Sequence, residues 1–291
     1  MTFQEKLQKG KFVVTAEIDP PKGLDILGLL TDLEPWKGRV DALNITDGKS
    51  SVMTMTPLAL GHILKEKGFE PILNLSCRDR NRLSLQADVL GAAAVGIRNF
   101  LALTGDYASL GDHPQAKPVF DLDSVQLLQI MEKMQSGRDM AGNALRGTPD
   151  LFIGATVSPN PGTPAGVELQ LVKMEKKIAA GAKFFQTQPL FQIKNLERFV
   201  KQAGEFGVPV LTSVLPLKSA SMARFINKNM PGILIPENLI AEIENAKDRV
   251  RTGLEICARL VRDLRGLCQG VHFIPAGWEK RMPAILDAAK L

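Results

Sequence analysis

The feature that most constrains this chain is an alternation running from end to end: a short apolar run, then a longer stretch of helical period, repeated eight times. The runs are Lys11–Ile18, Val40–Thr46, Pro71–Ser76, Asn99–Thr104, Leu151–Val157, Lys183–Gln188, Val208–Leu215 and Gly270–Pro275, each of strand length. Helical patterns separate them at Asp25–Leu33, Thr56–Glu66, Arg80–Gly91, Ser124–Met134, Val167–Ala180, Ile193–Gly204, Ser219–Lys228 with Glu237–Glu244, and Arg249–Leu267, and Glu279–Ala289 follows the last run. Strands joined through helices pair in parallel, because the crossover returns the chain to the same edge. Eight such units in 291 residues predict an α/β fold, a single (β/α)8 TIM barrel over residues 1–291. A doubly wound sheet is the rival. The turn after the first run, however, is Asp19-Pro20-Pro21-Lys22-Gly23, without the glycine-rich phosphate fingerprint that such sheets carry.

Composition narrows the class further. With 45% hydrophobic and 23% charged residues the chain is globular in character, neither disordered nor collagen-like. Its net charge of +5 is spread along the sequence with no basic block, so a nucleic-acid partner is not expected, whereas an anionic small molecule is compatible. Three scattered cysteines, Cys77, Cys257 and Cys268, form neither a disulfide framework nor a CxxC site and suit a reducing cytoplasm. No signal peptide opens the chain, and the apolar runs fall short of the roughly 18 residues a membrane span needs.

In a barrel the C-terminal ends of all strands meet at one mouth. Polar residues interrupt the apolar runs there: Glu17 and Asp19, Asn44, Thr46 and Asp47, Asn74 and Ser76, Thr104 and Asp106, Thr156 and Asn160, Gln186 and Gln188, Thr212 and Ser213, and His272. Glu17 follows Val13-Val14-Thr15-Ala16. Burial there would disfavour its charged form and suit a general acid, the alternative being an internal salt bridge to a lysine across the barrel. Asp106 follows Gly105, where the backbone can approach a ligand; a turn or N-cap aspartate is the alternative. The irregular stretch Gly105–Asp123 lies on the mouth side, and a second one, Gly137–Pro149, on the other. His62, His113 and His272 lack metal-ligand spacing, Asp121-Leu122-Asp123 reads as a helix start, and neither GxSxG nor a P-loop occurs. A mouth of carboxylates, amides and hydroxyls without a nucleophile or metal favours a bound cofactor that does the chemistry.

Several segments, in order along the whole chain, carry a family resemblance. Ala16-Glu17-Ile18-Asp19-Pro20-Pro21 resembles the F-E-F-F-P-P strand of methylenetetrahydrofolate reductases. Leu101 to Asp106 is similar to the family's A-L-R-G-D segment, and Ala180 to Gln188 to its D-A-G-A-(x)-I-T-Q segment. Shorter matches are Asn44-Ile45-Thr46 with Gly48, Leu75-Ser76-Cys77, Leu215-Pro216 and His272-Phe273. The resemblance implies a barrel that holds a flavin, FAD or FMN, and reduces 5,10-methylenetetrahydrofolate to 5-methyltetrahydrofolate. By position, Glu17 matches the general acid, Asp106 an aspartate that touches the pterin near the flavin, and Gln188 a glutamine on the substrate, with Gln186 beside it. Thr46, Asn74, Thr104, Gly105, Thr156, Asn160, Gln170 and Lys177 fall at flavin-binding positions, and Phe120 at that of a flavin-contacting tyrosine.

Departures fall mainly on the cofactor side. Thr104 replaces the family's arginine before Gly-Asp, Asn74 its histidine, and Gln170 its helix aspartate, with Glu168 close by. Thr156-Val157-Ser158-Pro159-Asn160 replaces Y-P-E-x-H. Ala276-Gly277-Trp278-Glu279 resembles acetogen-type reductases that work with a separate iron–sulfur and zinc-binding subunit. That branch implies an oligomer or heteromer fed either by NAD(P)H or by a reduced electron-transfer partner, and a chain without the regulatory domain of eukaryotic relatives. The competing readings are a folate-binding barrel that transfers a methyl group without redox chemistry, and a non-catalytic barrel subunit of a larger redox complex.

Overall fold

Eight parallel strands close on themselves in sequence order in the computed structural model, which describes residues 1–160 and 162–291. In chain order the elements are α1 (Phe3–Gln8), β1 (Val13–Ile18), α2 (Leu27–Leu33), β2 (Ala42–Ile45), α3 (Pro57–Glu66), β3 (Pro71–Ser76), α4 (Arg82–Ala94), β4 (Asn99–Leu103), α5 (Ser124–Gln135) and β5 (Phe152–Val157). Then come α6 (Pro164–Ala179), β6 (Phe184–Pro189), α7 (Ile193–Ala203), β7 (Val210–Val214), α8 (Ala220–Asn229), α9 (Glu237–Glu244), α10 (Arg249–Leu264), β8 (Gly270–Phe273) and α11 (Met282–Ala289). The (β/α)8 barrel expected from the alternation is therefore the fold, and the pairing of β1 with β8 excludes an open doubly wound sheet.

Helix starts follow local chemistry. Asp123 caps α5 through a reciprocal box with Gln126, so Asp121-Leu122-Asp123 is a helix start as its composition indicates. Thr163 accepts from the Gly166 N–H and Pro164 opens α6 three residues earlier than the apolar period suggests, because a proline in the first turn adds no apolar signal.

The inward-facing side chains change character along the barrel axis. At the N-terminal end Val13, Ala42, Ile72, Leu101, Phe152, Phe184 and Leu211 pack together with Phe3 and Leu7 of α1. Helix α1 thus plugs the floor, with Phe3 edge-on to Phe152 and Phe184 at 5.8 and 5.2 Å between ring centres. The Phe3 N–H donates to Glu70, which also accepts from the Asn99 side chain, so the plug is tied to the rims of β3 and β4. Gly154 is required here: a Cβ would lie 2.3 Å from the Phe184 ring. No plug was expected from the sequence; Phe3 and Leu7 recur at i and i+4, but six residues are too few to display a period.

Candidate functional site

In the next inward-facing layer Thr15, Asn44, Asn74, Gln186, Ser213 and His272 turn the barrel interior polar, while β4 and β5 contribute Leu103 and Gly154. The Asn44 side chain donates to Asn74 Oδ1 and Gln186 Oε1, both at 3.0 Å, and Gln186 Nε2 donates back to Asn44 Oδ1 at 2.8 Å. Because β2 and β6 are not neighbours, the two bonds between Asn44 and Gln186 cross the barrel. Thr15 meets His272 Nδ1 at 2.9 Å in the same layer. Burial, reinforced by the charge of Lys49, pushes the His272 pKa down to about 3, so the ring is neutral at physiological pH. Such a belt of paired amides satisfies its own polar atoms and gives the mouth a rigid base.

Above the belt lies a cavity of about 370 Å³, within the size range of small-molecule sites. Glu17, Thr46, Asn74, Thr104, Gly105, Asp106, Thr156 and Lys177 all line it, together with Lys49, Arg78 and Ser76. A second cavity, of about 450 Å³, shares the wall of Asp47, Gly48 and Arg78. Glu17 is 14% exposed, and its Oε1 accepts from Lys49 Nζ at 2.5 Å. Burial raises its pKa, with Lys49 opposing the rise and Asp19 adding to it. The carboxyl is thus shifted toward its protonated form and is also paired with a lysine, which reaches it from the loop after the neighbouring strand β2 rather than from across the barrel. That lysine, Lys49, has no motif around it and escaped the sequence reading; its only signal was its place just beyond the second strand.

Thr46 Oγ1 donates to Asp19 Oδ1 at 2.8 Å, which orients Asp19 toward Lys49. Asp106 is exposed and caps no helix; its carboxylate accepts the Ser50 N–H at 3.2 Å, so it braces the turn after β2 from the loop after β4. Gly105 has φ +101°, and a Cβ there would lie 2.3 Å from Ser76 Oγ, so the backbone runs close against β3 at this point. Asp47 is tied to Arg80 and to the Ser76 N–H, which braces the loop after β2 on β3. Lys177 donates to the Thr156 carbonyl at 2.7 Å; burial and neighbouring Lys173 lower its pKa, against the pull of Asp123.

Other expected residues lie outside this cavity. Gln186 is one layer below, in the amide belt. Gln188 is at the rim and accepts from Ser158 Oγ at 2.8 Å. Gln170, seven residues before Lys177 on the same helix, turns to the loop after β5 and accepts the Ser158 N–H. Asn160 bonds Asn195 and lines a separate cavity of about 750 Å³ between α6 and α7, which Glu168 also lines. Phe120 packs edge-on against Tyr107, 6.3 Å between centres, in the loop after β4.

The three cysteines are free and buried, and burial, reinforced by Asp123, raises the Cys77 thiol to about 12. Among the described residues no three His, Cys, Asp or Glu side chains gather as a metal-ligand set, and no helix is long and apolar enough to cross a membrane.

Fold and site together define a (β/α)8 barrel whose polar groups gather at the C-terminal mouth, where barrel enzymes carry their chemistry. The family model for methylenetetrahydrofolate reductase matches residues 2–290, and the chain belongs to that family. It is similar to a probable methylenetetrahydrofolate reductase (NADPH) of Caenorhabditis elegans, 25% identical over 77% of this chain and 33% of that one. It is likewise similar to methylenetetrahydrofolate reductase 2 of Schizosaccharomyces pombe, 21% identical over 99% of this chain and 47% of that one. The chain thus spans between a third and a half of the length of these curated relatives. Among solved structures, an uncharacterized Clostridium thermocellum protein that binds two copies of 5-methyl-5,6,7,8-tetrahydrofolic acid shares the fold, with a TM-score of 0.66, 16% identity, and 99% and 98% of the two chains covered. A 2,3-dimethylmalate lyase shares it more loosely, with a TM-score of 0.55, 10% identity, and 100% of this chain and 85% of that one covered.

Proposed function

We propose that this chain reduces 5,10-methylenetetrahydrofolate to 5-methyltetrahydrofolate with a bound flavin, Glu17 serving as general acid. The observation that carries this is the meeting, in one cavity, of a buried carboxyl with raised pKa, Asp106 at the rim, and a partly desolvated lysine, Lys177, that pairs with no carboxylate among the described residues. A flavin fits this donor set. Thr46, Asn74, Thr104 and Thr156 offer neutral hydrogen-bonding groups, and Lys177 supplies positive charge for a phosphate. When bound, the flavin supplies the hydride.

The protein's part is to bind, orient and protonate. Opening the imidazolidine ring breaks the bond between N10 and the methylene carbon, the electron pair going to N10, which takes its proton from the Glu17 carboxyl. The negative charge of Asp106 favours the cationic iminium left at N5. Gln188 and Gln186 are assigned to the substrate ring, the first at the rim and the second anchored in the amide belt. Asn160, Gln170 and Phe120 are assigned to the distal part of the cofactor. A separate iron–sulfur and zinc-binding subunit, or NAD(P)H, supplies electrons, and the protein works in the cytoplasm as an oligomer or heteromer.

The visible spectrum of the purified or flavin-reconstituted protein tests the reading. Absorption in the flavin region that dithionite bleaches and methylenetetrahydrofolate restores is the expected result. A protein that takes up neither FAD nor FMN overturns it and favours a barrel without redox chemistry.

A further inference from the structure

The turn after β2 is strained, and the strain has a direction. Ser50 and Ser51 sit in the left-handed region at φ 53° and 59°, a conformation that residues with a side chain rarely adopt. Anchors on two other loops hold it there. The Ser50 N–H donates to Asp106 Oδ2 at 3.2 Å and Ser51 Oγ to the Tyr107 carbonyl at 2.9 Å. Arg78 donates to the Gly48 carbonyl at 3.2 Å and to Ser51 Oγ at 3.0 Å. Gly111 clears the space, since a Cβ there would lie 1.8 Å from the Ser51 carbonyl oxygen. Lys49 is thereby aimed inward, its Nζ 2.5 Å from Glu17 Oε1 and 3.5 Å from Asp19 Oδ2.

We propose that Lys49 is a positioning residue for Glu17, held over the carboxyl by a strained turn that Asp106 pins from the opposite loop. An exposed lysine left to itself gains little from pairing, and its side chain samples many rotamers. Here the turn removes that freedom, so one short segment links the two carboxylates assigned to the chemistry, Glu17 through a side chain and Asp106 through a backbone N–H. The remaining charged or titratable groups around Glu17 leave Lys49 as its direct cation. Asp19 is an anion on the same strand, and Asp106 is an anion bound to the turn. Asp47 and Arg80 pair with each other, while Arg78 is engaged with Asp79 and the turn. Lys177 is committed to the Thr156 carbonyl, and His272 is neutral below the rim.

The role of Lys49 in turnover rests on the reading of Glu17 as proton donor, but the coupling itself does not. A carbon-13 titration of the Glu17 carboxyl, identified by its loss in Glu17→Gln, reads the coupling in the full chain without flavin or folate. Burial raises this group and Lys49 opposes the rise, so Lys49→Met moves the midpoint upward by about one pH unit or more, while Lys49→Arg stays within about 0.5 of the wild type. Should Lys49→Met fail to fold, Lys49→Gln is titrated in its place with the same expectation. An unchanged midpoint in a folded Met or Gln variant, or an equal rise in Lys49→Arg, overturns the proposal. The pH profile of flavin reoxidation by methylenetetrahydrofolate then follows the same displacement in the variant; a profile that stays put while the carboxyl moves overturns the role in turnover. Failure of the wild type to reduce folate at all counts against the proposed function alone and leaves the carboxyl titration to decide the coupling.

Discussion

The two ends of this barrel are built from the same eight strands and have opposite physics. At the floor, Phe3, Phe152 and Phe184 fill the interior in relaxed edge-on and stacked geometries, and charged groups stay at the edge, where Glu70 anchors the plug and Lys6 of α1 pairs with Asp41. At the mouth, polar side chains such as Glu17, Asn44, Asn74, Gln186 and His272 interrupt the strands, the backbone is strained at Ser50 and Ser51, and Glu17 and Asp19 sit beside Lys49. The floor holds the closed sheet together through burial. The mouth forgoes part of that gain to keep ionisable groups where water is scarce, which is the arrangement that shifts pKa values.

Substitutions at each end separate these roles, and the largest effect falls at the floor. Phe3→Ala empties a fully buried aromatic site, and denaturant unfolding is expected to show a loss of about 3–5 kcal/mol. The Glu17 carboxyl midpoint should be unchanged in that variant, because the amide belt stands between the two; a displaced midpoint would show that the ends are coupled. Next comes Glu17→Gln at the mouth. Folate-driven reoxidation of the flavin is expected to slow at least about a hundredfold with flavin reduction nearly intact, the scale for loss of a general acid. Equal losses in both half-reactions would move Glu17 from chemistry to structure.

The belt between the ends carries a pH signature. His272 is depressed from its ordinary value of 6.5 to about 3 by burial. The unfolded chain therefore binds a proton that the folded one refuses, and the stability present above pH 6.5 is lost as pH falls from there toward 3, by up to about 1.4 kcal/mol per unit. In His272→Gln that contribution to the slope should vanish between pH 6.5 and 5, before most carboxylates titrate. Unfolding curves at several pH values measure it, and an unaltered slope would place the ring in contact with water. The smallest effect is expected at the turn: Ser50→Gly relieves the left-handed strain while keeping the N–H bonded to Asp106, and should raise stability by about 1 kcal/mol in thermal melts. A loss instead would mean that the serine side chain, rather than the backbone, holds the turn.

What could be read in advance differs between these regions for physical reasons. Each strand after Lys11 was visible because a buried parallel strand is an unbroken apolar run, and the helices between them show their period over seven to sixteen residues. Helix α1 was invisible because its one buried stripe is Phe3 and Leu7. Glu17 stood out as a lone carboxylate in an apolar strand, and Thr46, Thr104, Gly105, Thr156 and Lys177 line the same cavity. Asn160 and Gln170 had equal standing in the sequence, yet neither lines that cavity: Asn160, on the loop after β5, bonds Asn195 of α7, and Gln170, on α6, accepts the Ser158 N–H. Lys49 and Arg78 had no standing at all, since a single cation after a strand looks like any solvated side chain.

The sequence by itself determined the barrel, the end at which polar groups collect, and the family, because those follow from periodicity and from short ordered motifs. Which polar groups touch was decided only by the tertiary structure. Closure of the sheet brings Asn44 onto Gln186 across 142 residues of chain, and a turn in unfavourable dihedrals sets Lys49 on Glu17. Both depend on long-range geometry: local sequence specifies which way a side chain leaves its strand, but only the closed ring specifies what it meets.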